Sequence, residues 1–152
     1  MWMQRALREA EKALAHEEIP VGAVVVLNDE VIGRGYNQTE SLNDPTAHAE
    51  MIAISAAANT LQSWRLDSCS IYVTLEPCAM CAGAIVLARF QKVIIGAMDP
   101  KAGACGSLRN IVQDHRLNHQ VELLSGVLEE ESSDILKRFF QRIRIRKSGK
   151  TE

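Results

Sequence analysis

His48, Glu50, Cys78 and Cys81 are the side chains of this sequence whose types and spacing could do chemistry. They lie in two short stretches, His48-Ala49-Glu50 and Pro77-Cys78-Ala79-Met80-Cys81, which read H-x-E and P-C-x-x-C. Thiolate sulfur and imidazole nitrogen are donors that zinc prefers, and a catalytic zinc keeps three protein ligands with one position open. His48, Cys78 and Cys81 make such a set, and Glu50 is a carboxylate left over. Bound zinc lowers the pKa of water towards neutrality, and a carboxylate beside it can carry a proton from that water to a substrate nitrogen. The pairing suits hydrolysis at an amidine-type carbon, where a ring nitrogen gains a proton as water adds and ammonia must then leave. A structural zinc would need a fourth protein ligand. The spare cysteines and histidines, Cys69, Cys105, His16, His115 and His119, stand at no zinc-finger spacing.

The elements around these stretches explain how they could meet. Asp44-Pro45-Thr46 is a helix-start signal, with Asp44 or Thr46 as the cap, so a small-residue helix is predicted over Ala47 to Leu61. A second helix is predicted from Pro77 to Ala88, starting on the C-x-x-C. Its free amides and positive dipole end favour the thiolate form of the cysteines. Residues i and i+2 point apart in mid-helix, so His48 and Glu50 can face one metal only if their helix approaches end-on.

An amphipathic helix is expected from Trp2 to His16, a hairpin from Val21 to Leu27 and Val31 to Tyr36 turning at Asn28-Asp29-Glu30, and further strands at Ile71 to Leu75, Val93 to Ala97 and Val121 to Leu124. Leu108 to Val112 reads as a short helix after a Gly/Ala loop, and Cys105 as a loop thiol of open exposure. A last helix spans about 129–147, acidic at Glu129-Glu130-Glu131 and basic at its end, each charge matching the dipole. Strands alternating with helices predict a three-layer α-β-α fold around a five-stranded mixed sheet, with the hairpin followed by parallel strands.

At 152 residues the chain reads as one domain, 1–152. Its formal charge of −2 sets up no global basic field. No apolar run approaches the roughly 20 residues of a membrane span, and the start shows no signal-peptide core. The four cysteines therefore read as reduced or metal-binding, and the cytoplasm is the expected location.

The paired motif is the signature of the cytidine-deaminase-like zinc deaminases. Within that superfamily the chain resembles the bacterial tRNA-specific adenosine deaminases along nearly its whole length. The similarity runs through Ile19-Pro20-Val21-Gly22-Ala23, Gly35-Tyr36-Asn37, Asp44 to Glu50, Leu75 to Ala84, Asp99-Pro100-Lys101-Ala102-Gly103, Gly106-Ser107-Leu108, Asn118-His119 and Phe139-Phe140. The central motif is shared with guanine and cytosine deaminases, so alone it leaves a free-base or nucleoside deaminase open. The loop from Asp99 to Leu108 and the Phe139-Phe140 helix are the parts that look like the tRNA enzymes.

The resemblance implies one zinc on His48, Cys78 and Cys81, with Glu50 as proton shuttle. It implies conversion of the wobble adenosine of an arginine tRNA anticodon to inosine, and a homodimer whose site borrows residues from the partner. Asn37 and Ala49 would hold the flipped nucleoside. Asp99, Lys101, Ser107, Asn118, Phe139 and Phe140 would meet the anticodon loop. The residues themselves add one observation: Lys137, Arg138, Arg142, Arg144, Arg146, Lys147 and Lys150 surround the two phenylalanines with no acid among them. Clustered cations beside aromatics suit phosphate neutralisation and base stacking.

Overall fold

The computed structural model describes residues 1–149; Lys150, the last cation of the basic run, lies outside them. Strands β1 (Gly22–Leu27) and β2 (Glu30–Tyr36) pair antiparallel. They turn on Asn28 and Asp29, both left-handed with φ of 51° and 61°, the conformation that matches strand twist in two-residue hairpins. Strand β3 (Ser70–Leu75) pairs antiparallel with β1, β4 (Lys92–Ala97) parallel with β3, and β5 (Glu122–Leu124) parallel with β4. The sheet order is β2-β1-β3-β4-β5, mixed and five-stranded as expected.

Side chains alternate across the strands, and each set has its own helices. Val25, Val73 and Ile95 pack with Ala53 and Ala57 of α2 (Ala49–Leu61) and Ile85 of α3 (Ala79–Leu87). Val24, Val26 and Ile94 pack with Met3 and Ala6 of α1 (Trp2–Ala15), and α1 meets α4 (Glu129–Lys147) through Ala10, Leu14, Ile135 and Phe139. Alanines let α2 lie tight on the sheet, and β2 answers with glycine. A Cβ on Gly35 would lie 2.5 Å from the Ala49 carbonyl oxygen. The missing side chain lets the first turn of α2 lie directly on β2.

Strand direction places the helix starts. Because β2 and β3 both run antiparallel to β1, their carboxyl ends share one edge with that of β4. The amino ends of α2 and α3 stand at this edge, which is where open α/β sheets bind ligands.

Two local expectations are corrected. Asp44 and Thr46 do not cap α2: the Asp44 carboxylate accepts from the Thr46 N–H (2.8 Å) and hydroxyl (2.7 Å), closing a turn three residues early. The helix starts at Ala49, with His48 as its extended N-cap. Leu108 to Val112 is not helical either. Cys105 and Asn110 bridge antiparallel, and the Gly106 N–H donates to the Arg109 carbonyl (2.7 Å), so the segment doubles back. Cys105 is fully buried beneath it. Among the described residues no helix is long and apolar enough to cross a membrane.

Candidate active site

Two helix starts build the floor of the site in the same way. His48 caps α2 with φ −76° and ψ 155°, and Cys78 caps α3 with φ −74° and ψ 178°. Extended caps swing their side chains off the helix axis, and Cys81 joins them from the first turn of α3. His48 Nδ1 lies 3.6 Å from each sulfur. A tetrahedral zinc at ordinary Zn–N and Zn–S bond lengths gives N···S edges of about 3.6 Å, so the donor set fits zinc in type and spacing. Among the described residues this cluster has three members, within 4.8 Å of one another.

The electrostatics agree with a metal position. Hydrogen bonds from Cys81 and then His48 hold the Cys78 thiol down to about 3, against burial. A hydrogen bond with Cys78, and then burial, push Cys81 far up, while a separate hydrogen bond with Cys78 raises His48. Cys78 is thus a thiolate ready to bind, while Cys81 and His48 are biased towards forms whose protons a metal ion would displace.

Glu50 stands beside them and is 4% exposed. Burial pushes its carboxyl up to about 7. The cluster opens into a cavity of about 190 Å³ whose walls include Ile19, Asn37, Glu50, Glu76 and Asp99. Asn37 is buried, donating from Nδ2 to the Ile19 carbonyl (3.2 Å) and accepting at Oδ1 from the Thr39 N–H (3.4 Å). The end-on approach of α2 is what brings both His48 and Glu50 to this cavity.

The MafB19-like deaminase family matches residues 1–144. A tRNA-specific adenosine deaminase of Bacillus subtilis is 50% identical over 98% of this chain and 92% of its own length. One from Aquifex aeolicus is 46% identical over 94% of each. The chain is a MafB19-like deaminase of the tRNA-specific adenosine deaminase branch. A solved structure from work on A-to-I editing by tRNA:A34 deaminases superimposes with a TM-score of 0.85 at 45% identity, covering 88% of this deaminase and 97% of that chain. The guanine deaminase of Nitrosomonas europaea shares the fold, with a TM-score of 0.78 at 20% identity over 91% of this chain and 82% of that one.

The other residues singled out in the sequence divide by place. Ala49 and Asp99 line the cavity of the deaminase. Lys101 is exposed on the same loop, its N–H donating to Asp99 Oδ1 (3.0 Å). The Ser107 hydroxyl is turned inward onto Glu76. Asn118 is not brought to the site. It precedes β5, which runs parallel to β4, so it sits at the amino edge, where His119 Nε2 lies 2.7 Å from the Phe90 carbonyl.

Phe139 is core, packed on Leu14 and Ile135, whereas Phe140 is 45% exposed. Helices α1 and α4 run side by side in the same direction: Arg138 pairs with Glu11 (3.0 Å) and Arg146 with Glu17 (2.6 Å). Glu17 lies two residues before Ile19 of the cavity wall. The basic end of α4 therefore reaches the edge that carries the site.

Two functional-site residues left no mark in the sequence pattern. Glu76 is buried and gathers the N–H groups of Asp99 (2.8 Å), Cys105 (2.9 Å) and Ser107 (2.9 Å). Glu18 does the same for the other rim, accepting from the Glu40 N–H (3.1 Å) and the Ser41 N–H and hydroxyl (both 2.6 Å). The available signal was thin: an acid wedged between Leu75 and Pro77, and another between Glu17 and Ile19.

Proposed function

We propose that this deaminase converts the wobble adenosine of a tRNA anticodon loop to inosine, with one zinc per chain on His48, Cys78 and Cys81. The carrying observation is the three-donor cluster with Glu50 buried beside it at the floor of one cavity. At about 190 Å³ that cavity is smaller than the roughly 300–1,000 Å³ of drug-sized pockets. It suits one base, with the rest of the RNA on the rim. An anticodon loop presents its bases already free of a duplex.

Zinc held by His48, Cys78 and Cys81 would supply an acidified water as nucleophile. The Glu50 carboxylate would accept a proton from the attacking water, deliver it to the purine ring nitrogen, and carry the second proton to the departing amine. Burial, which raises its carboxyl to about 7, keeps its proton affinity near that of the groups it serves. Asn37 orients the nucleoside. The Ala49 N–H, in the first turn of α2, has no intrahelical partner and is available to the base. Asp99, Lys101 and Ser107 form the loop side of the RNA path, and Phe140 with the basic end of α4 forms an outer part, with Phe139 fixing that helix.

Arginine tRNA is the proposed substrate, the cytoplasm the proposed location, and residues 1–152 one deaminase domain. A homodimer is supported by the outer faces of α2 and α3, where Met51, Ile54 and Met80 are partly uncovered and Leu87 is 73% exposed. Asn118, far from its own chain's cavity, has a role only in such an assembly.

The test is incubation of the protein with an arginine-tRNA anticodon stem–loop and sequencing for inosine. Ammonia release from free guanine, cytosine or adenosine without inosine in the stem–loop would establish the free-base alternative instead. In the same assay Glu50→Ala is expected to retain zinc and form no inosine. Loss of the metal would make Glu50 a ligand.

A further inference from the structure

Glu76 has no place in the proton transfers above, yet it is 3% exposed at the carboxyl end of β3, two residues before the Cys78 ligand. A carboxylate offers about four acceptor sites, and here all are taken. Oε1 receives the Asp99 N–H and the Ser107 hydroxyl, and Oε2 receives the N–H groups of Cys105 and Ser107. A saturated carboxylate has no capacity left to accept from a substrate. What it does is hold a loop. Gly103 closes over it so tightly that a Cβ there would collide with the carboxylate. The Ala104 N–H then ties the loop to the Pro77 carbonyl (2.8 Å), and the Glu76 N–H ties to Ala97 on β4 (2.8 Å).

We propose that Glu76 is a positioning residue that holds the Asp99–Ser107 loop as one wall of the nucleoside cavity, and so sets how RNA is received through that loop, its carboxylate neither binding the metal nor accepting from the substrate. Its role in receiving RNA rests on the substrate reading above; the clasp itself does not. Glutamine cannot replace it, since its amide nitrogen would face N–H donors with donors of its own.

The experiment compares zinc-loaded wild type, Glu76→Gln and Ser107→Ala by zinc content, kcat and KM on the anticodon stem–loop, and hydrogen exchange at the Asp99, Cys105 and Ser107 amides. Glu76→Gln is expected to keep its zinc, speed exchange at all three amides at least tenfold, and raise KM at least tenfold with a smaller fall in kcat. Ser107→Ala removes one bond of the four and is expected to raise KM about fivefold, the worth of a single hydrogen bond. An unchanged KM, or a loss of activity that follows loss of zinc, overturns the proposal. The second outcome would make Glu76 a support for Cys78 alone.

Should Glu76→Gln not fold, Gly103→Ala and Ser107→Ala decide, and an unchanged KM in both overturns it. If wild type forms no inosine, the substrate reading fails, and equal amide exchange in wild type and variants separately overturns the clasp.

Discussion

Glu50 and Glu76 are both buried carboxylates at the same edge of the sheet, 4% and 3% exposed, and their proton affinities move in opposite directions. Burial penalises the charge of each, but only Glu76 meets a ring of loop N–H groups and a hydroxyl, which outweigh burial and hold its carboxyl below the usual range. Glu18 resembles Glu76: burial raises it, and the Ser41 and Glu40 donors bring it down further. Donor supply thus separates two kinds of acid. The floor of the site holds a carboxylate left short of donors and able to exchange a proton. The rim holds two that are fully charged and act as clasps.

The largest effect that tests this contrast is on turnover. Glu50→Gln keeps the shape of the floor and removes the proposed proton carrier, so inosine formation should fall by about 10²- to 10⁴-fold, the usual worth of a general acid–base group. Zinc content should be unchanged, as metal analysis of the purified variant would show. A variant retaining more than a tenth of wild-type turnover would move the proton transfers to another residue.

The same substitution should stabilise the metal-free protein. A carboxyl raised in the folded state favours folding below its unfolded value of 4.5 and penalises it increasingly as pH climbs towards about 7. At pH 8 the chelator-treated Glu50→Gln protein should therefore be more stable than wild type by on the order of 3 kcal/mol. The difference should close below pH 4.5, and denaturant melts at the two pH values measure it.

Glu18→Gln should show the reverse sign. Its carboxyl is lowered in the folded state, so its contribution is present above its unfolded pKa and is lost as pH falls through the folded value. At pH 7 the variant should lose about 1 kcal/mol, because the Glu40 and Ser41 donors exchange a charged acceptor for a neutral amide. Towards pH 3 wild type and variant should converge. Parallel loss at both pH values would mean that Glu18 acts by packing and not by charge.

This contrast also explains what could be read without coordinates. The floor is local: a histidine at one helix start, two cysteines within one turn of another, and strand runs whose β-branched residues placed all five strands to within a residue or two. The rim is not local. Glu76 reaches donors 23 to 31 residues away, and Glu18 donors 22 and 23 away, distances over which a lone glutamate carries no pattern. The short helix expected at Leu108 to Val112 fails for the same reason. With Cys105 and Ser107 bound to Glu76, the loop around Gly106 is committed to a turn. Asn118 was drawn to the site by resemblance alone, and the parallel pairing of β5 puts it at the other edge. Phe139 and Phe140 looked equivalent, and only the packing of α4 on α1 separates core from surface.

The smallest effect concerns charge beyond the rim. Arg138 and Arg146 are engaged with Glu11 and Glu17, whereas Arg142, Arg144 and Lys147 are exposed and make no ion pair among the described residues. Cations already neutralised by a neighbour have less to give a phosphate, since the acid must be released first. Arg142→Ala and Arg144→Ala should each weaken stem–loop binding a few-fold and reduce the salt slope by about one unit per lost phosphate contact. Arg138→Ala should leave the slope nearly unchanged. Affinities measured across a salt series separate these cases, because a loss caused by disturbed packing of α4 shifts binding equally at every salt concentration. If Arg138→Ala lowers the slope as much as Arg142→Ala does, the Glu11 pair opens on binding, and the RNA footprint extends along α4 away from the cavity edge.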